Sequence, residues 1–97
     1  MDEAFQILVQ DVTENVAPET RIIKLKVKRG EHTFFFTSSA SGSTFMCKLG
    51  QDAFVPCTNP TNYSGLSAGS HVFQVYAIDP SGNPDLTPAE YSFTVNR

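Results

Sequence analysis

From residue 20 onward, apolar and polar positions alternate with a period of two, in short segments separated by Gly, Pro, Ser and Asn. Alternation of that kind places successive side chains on opposite faces of a strand, one face toward a core and one toward water. No helical stripe competes with it. The pattern predicts strands over residues 21–28, 32–38, 44–49, 53–57, 61–64, 70–79 and 90–96. Seven short strands at this spacing are what two packed antiparallel sheets need.

The alternation also selects a core: Ile23, Leu25 and Val27, then Phe34 and Phe36, then Phe45, Cys47 and Leu49, then Phe73, Val75 and Ala77, then Tyr91, Phe93 and Val95. Burying a large apolar side chain contributes about 1.5–3 kcal/mol, so this set can offset chain entropy without a cofactor. Turn chemistry separates the segments: Arg29-Gly30-Glu31, Ser39-Ala40-Ser41-Gly42, Ser67-Ala68-Gly69 and Asp79-Pro80-Ser81-Gly82-Asn83-Pro84. Residues 1–16 stand apart. Phe5, Ile7 and Val9 alternate like a strand, whereas Asp11 to Pro18 reads as a linker. The first is either a leading strand at the sandwich edge or the last strand of a preceding module; its pattern parallels Tyr91, Phe93 and Val95. The domain proper is expected over residues 17–97.

Composition is that of a folded chain: of 97 residues 40% are hydrophobic and 18% charged, with eight Phe and three Tyr, enough for one core and no more. The formal charge of −3 lacks the basic excess that phosphate contacts require, which argues against a nucleic-acid partner. The one basic cluster, Arg21, Lys24, Lys26, Lys28 and Arg29, alternates with apolar residues and reads as the wet face of an edge strand. No apolar run is long enough to span a bilayer, so membrane insertion is not expected, and Asp2 and Glu3 are unlike a signal peptide's basic start. A secretion signal, on this reading, belongs upstream in a longer precursor.

Cys47 and Cys57 are the only cysteines. Two short strands folding back at Leu49-Gly50-Gln51-Asp52 can bring them together, and two buried free thiols are the alternative. With His32 and His71 distant, they do not make a zinc ligand set. Catalysis finds no support: the serines lie in turns with no Gly-x-Ser-x-Gly elbow, and Asp52, Asp79, Asp85 and Glu90 are brought together by no recognisable spacing. No cofactor is expected. Asp79, Asn83 and Asp85 crowd oxygen atoms into one loop, where a calcium site competes with an Asx-turn capping its own backbone. Asn62-Tyr63-Ser64 is a glycosylation sequon if the source is eukaryotic, whereas Pro60 disqualifies Asn59. His32, at a strand start, is expected in solvent.

The ordered stretch Phe34-Phe35-Phe36-Thr37-Ser38-Ser39, Gly42-Ser43-Thr44-Phe45-Met46-Cys47-Lys48-Leu49, Ala53-Phe54-Val55-Pro56-Cys57, Tyr63-Ser64-Gly65-Leu66, Gly69-Ser70-His71-Val72-Phe73 and Thr87-Pro88-Ala89 resembles a family of bacterial Ig-like repeats in large secreted and cell-surface proteins. The likeness runs over about residues 16–96. It implies an all-β, seven-stranded immunoglobulin-like or fibronectin type III-like sandwich, a hairpin disulfide between Cys47 and Cys57, and a place in a tandem array. Gly50-Gln51-Asp52 departs from the family's usual Asp-Gly-Gly turn. His71 sits where the fibronectin type III pattern has a corner tyrosine, and an imidazole there can pin a backbone carbonyl in the same way.

The function expected from these features is a non-catalytic module, extracellular or at the cell surface, that spaces, displays or mediates adhesion, with neighbouring domains of its own chain as partners. The alternatives are a binding domain for a glycan or cell-surface protein, using Phe35, Phe54, Tyr63 and Tyr76 if they share a face, and an accessory domain of a secreted hydrolase.

Overall fold

The computed structural model describes residues 17–96, so the expectations for residues 1–16 lie outside the described residues. Seven strands follow in order: β1 (Thr20–Lys28), β2 (Glu31–Ser38), β3 (Thr44–Leu49), β4 (Val55–Cys57), β5 (Thr61–Ser64), β6 (Gly69–Ile78) and β7 (Ala89–Val95). They form a three-stranded sheet, β1-β2-β5, and a four-stranded sheet, β4-β3-β6-β7, with every named pairing antiparallel. The fold is an immunoglobulin-like sandwich.

The sheets close on Phe34, Phe36, Cys47, Phe73 and Val75, all essentially without solvent exposure. Phe34 of one sheet stacks on Phe73 of the other, with centroids 4.0 Å apart, while Phe36 meets Phe45 edge-on at 4.8 Å. The edge-on contact adds to the area term because ring edges are positive and faces negative.

Three expected core positions are corrected. Ile23 is 62% exposed and Ile22 packs inward in its place, because the β1–β2 register slips between Ile22 and Lys24. Such a bulge inserts one residue and reverses the phase of everything before it. Val27 keeps phase with Leu25 and lies opposite His32, yet is 61% exposed. Tyr91 likewise keeps phase with Phe93 but is 44% exposed. Both sit on edge strands, and among the described residues no strand covers the seam where β1 of one sheet meets β7 of the other. His32 is a fourth correction: it is buried, with its ring 5.3 Å from that of Phe93. His32 lies two residues before Phe34 within β2, so it shares the inward phase of Phe34 and Phe36.

The ends of the module lie at opposite poles. The Thr20 hydroxyl accepts a hydrogen bond from the Ala77 N–H near the end of β6, and Val95 pairs with Gly69 at its start. At about 3.3 Å per residue, those two points are roughly 26 Å apart along β6.

Candidate functional site

The entry pole is built by hydrogen bonds that converge on two aspartates. Asp85 is 7% exposed. Its Oδ2 accepts from the Thr20 N–H at 2.9 Å, and its Oδ1 accepts from both the Thr87 N–H and the Thr87 hydroxyl at 2.9 Å. Burial alone would push the Asp85 carboxyl up; hydrogen bonds from Thr20 and Thr87 outweigh it and hold the group below its ordinary range. One carboxylate thus fastens the start of β1 to the loop between β6 and β7. Glu19 adds a second fastening, its N–H donating to the Ser39 hydroxyl and its carbonyl accepting from the Ser39 N–H, both at 2.9 Å.

Asp79 organises the same loop from inside. Its Oδ1 accepts from the N–H groups of Ser81 and Asn83 at 3.0 and 2.8 Å, and its Oδ2 from Asn83 Nδ2 at 3.2 Å. The backbone N–H of Asn83 is the chief reason its carboxyl lies below the ordinary range. Asp79 and Asn83 therefore face each other, while Asp85 faces Thr20 and Thr87; a cation bound by all three would have to displace these bonds. Among the described residues, no group of three or more His, Cys, Asp or Glu is placed to hold a metal ion.

Across the sheet, Cys47 and Cys57 form a disulfide with Cα atoms 5.8 Å apart. In the β3–β4 ladder, Cys57 lies opposite Phe45 and Cys47 opposite Val55, so the bridge closes a diagonal of the hairpin. At the far pole, His71 Nε2 lies 2.8 Å from the Ser67 carbonyl oxygen, and its ring stacks on Phe93 at 5.5 Å. Phe93 is thereby held between the rings of His71 and His32. Asn62 is exposed on β5, its Oδ1 accepting from the Thr33 hydroxyl at 2.8 Å.

The four aromatics considered for ligand contact do not share a face. Tyr63 points inward, edge-on to Phe34 and Phe73; burial, then the nearby Asp52 carboxylate, raises its phenol above the ordinary range. Phe35 lies on the outer face of the three-stranded sheet under Lys24, with the ammonium 5.5 Å from the ring centre. Phe54 and Tyr76 do meet, edge-on at 4.9 Å, with the Lys48 ammonium 5.1 Å from the Phe54 ring. No helix among the described residues is long and apolar enough to cross a membrane.

This geometry has solved counterparts. The chain superposes on the PKD1 domain of the Vibrio cholerae metalloprotease PrtV with a TM-score of 0.67 and 22% identity, covering 84% of this chain and 100% of that one. The architecture is that of a PKD-type sandwich. The PKD1 domain of Vibrio anguillarum Epp gives a TM-score of 0.63 at 18% identity, covering 84% of this chain and 99% of that one. At these identities the PKD likeness is one of fold. No protein-family model matches the sequence, and no curated protein does.

The Asp85 fastening is the feature that sequence reasoning placed in a different role. A signal for it exists in Asp85-Leu86-Thr87, the Asx-turn spacing, but its partner Thr20 lies 65 residues away and only the topology joins them.

Proposed function

We propose that this chain is a non-catalytic accessory module of an extracellular protein, holding other domains apart along one line. The observation that carries the reading is the placement of entry and exit at opposite poles, each tied into the sandwich. Thr20 is fixed by Asp85 and Ala77, and Val95 is buried against the start of β6. A module threaded this way adds its full length to a tandem chain. The disulfide favours an oxidising compartment. A PKD-type fold that recurs as a domain of a metalloprotease supports the narrower reading of an accessory to a hydrolase.

The test is small-angle scattering of two copies of the full chain joined end to end through residues 1–16. The expected result is a maximum dimension close to twice that of one copy. A compact particle with the two modules side by side would overturn the spacer reading.

The Phe54–Tyr76 pair with Lys48 supports a second reading, in which the outer face of the four-stranded sheet contacts a glycan or a protein. A glycan array probed with the chain and with Tyr76→Ala checks it. Signal lost in the variant supports glycan contact, and no signal from the parent chain removes the glycan from this reading.

A further inference from the structure

The seam between β1 and β7 has the features of an unfinished sheet. Among the described residues β1 is paired with a strand on one side only, β2, so beyond Thr20, whose N–H is held by Asp85, alternate N–H and C=O groups along its other edge have no described strand beside them. A groove of about 720 Å³ runs along that edge, with Ile22, Ile23, Leu25, Val27 and Tyr91 among its lining residues. Ile23, Val27 and Tyr91 are the same apolar side chains left 62%, 61% and 44% exposed. A second cavity of about 410 Å³ follows, bounded by Val27, His32, Phe93 and Val95. His32 is 6% exposed, yet its Nδ1 has no hydrogen-bond partner among the described residues. Buried polar atoms are nearly always partnered, so an orphan at the wall of an open seam marks a place where a further polar group is wanted.

Charge selects what fills the seam. Five of the chain's seven Lys and Arg residues, Arg21, Lys24, Lys26, Lys28 and Arg29, lie on or beside β1, in a chain whose net charge is −3. Edge lysines suppress pairing of like with like: a second copy of β1 laid alongside would set cations opposite cations, which is destabilising. The same row attracts a strand of opposite sign.

We infer that the β1–β7 seam is a strand-addition site for an acidic extended segment of a partner protein, one with apolar side chains at alternate positions. Main-chain hydrogen bonds to β1 would provide affinity. Apolar side chains seated on Ile23, Val27 and Tyr91, with carboxylates against the β1 cations, would provide selectivity.

The experiment is titration of the full chain, labelled for NMR, with a capped peptide of about ten residues alternating Glu and Val. Controls are a Lys–Val alternating peptide and a Glu–Val peptide with the two residue types in separate blocks. The expected result is slowed exchange of those β1 amides that point away from β2, a shift of the His32 ring signals, and at least about a tenfold weaker affinity for Lys24→Glu/Lys26→Glu. Both lysines are exposed, and an unchanged unfolding midpoint shows that the variant folds. Equal binding of the Lys–Val or blocked peptide, protection elsewhere in the sandwich, or no binding at about 1 mM overturns the proposal. So does slow exchange of those β1 amides before any peptide is added, which would mean that the chain already fills its own seam.

Discussion

Replacing Asp85 with alanine removes the carboxylate that joins the start of β1 to the β6–β7 loop. Three donors then lose their acceptor: the half-buried Thr20 N–H, and the N–H and hydroxyl of exposed Thr87. Water replaces the carboxylate readily at Thr87, so those two bonds together contribute about 0.5–1 kcal/mol net. The Thr20 N–H is partly shielded, and losing a charged acceptor there costs about 1.5–3 kcal/mol. The sum, about 2–4 kcal/mol, is a large fraction of the 5–15 kcal/mol typical of a domain and corresponds to a fall in Tm of roughly 10–25 °C. Urea denaturation followed by tyrosine fluorescence or far-UV circular dichroism measures it, since the chain has three Tyr and no Trp. Asp85→Asn keeps one acceptor oxygen and is expected to fall between the two. A loss below about 1 kcal/mol for Asp85→Ala, or a smaller loss than Asp79→Ala causes, would refute the reasoning.

Acid provides an independent reading of the same groups. Asp79 and Asp85 are both held below their ordinary range in the folded chain, so their contribution is complete above about pH 4 and is lost as pH falls through the folded values; the gap between wild type and Asp85→Asn should shrink there. The raised Tyr63 phenol acts in the opposite direction, and stability should decline above about pH 10, a loss that Tyr63→Phe abolishes. Joint replacement of Cys47 and Cys57 by alanine frees a loop of sequence separation 10 and should cost about 2.5–3 kcal/mol in the chain-entropy model, read from the unfolding midpoint. Phe34→Ala, at a position without exposure, should cost about 3–5 kcal/mol, whereas Ile23→Ser should change the midpoint by less than about 0.5 kcal/mol. Equal costs for the last two would refute the assignment of the bulge.

Strand positions were legible in the sequence because period-two alternation and turn residues are local signals, and six of the seven strands start and end within one residue of expectation. β4 is the exception, beginning at Val55 rather than 53. Burial was less legible where it depends on the partner element. The alternation of Ile23, Leu25 and Val27 is genuine, but the bulge at Ile23 and the exposure of Val27 at the seam are decided by β2 and β7. His32 was legible in principle, since it shares the parity of Phe34 and Phe36; its polar character outweighed its phase. Asp85 shows the other kind of difficulty: the loop's oxygen-rich composition was visible, but not the 65-residue separation over which one of those oxygens acts.

Opposite poles for entry and exit also determine how the module meets mechanical load. Tension on a tandem chain would pull Thr20 and Val95 apart along the strand axes, loading the β1–β2 and β6–β7 ladders in shear, with many hydrogen bonds resisting together rather than opening one by one. The cystine lies between β3 and β4, outside both loaded ladders. It would therefore not set the rupture force; it would instead withhold the short loop between the two sulfurs from the length released once the sandwich gives way.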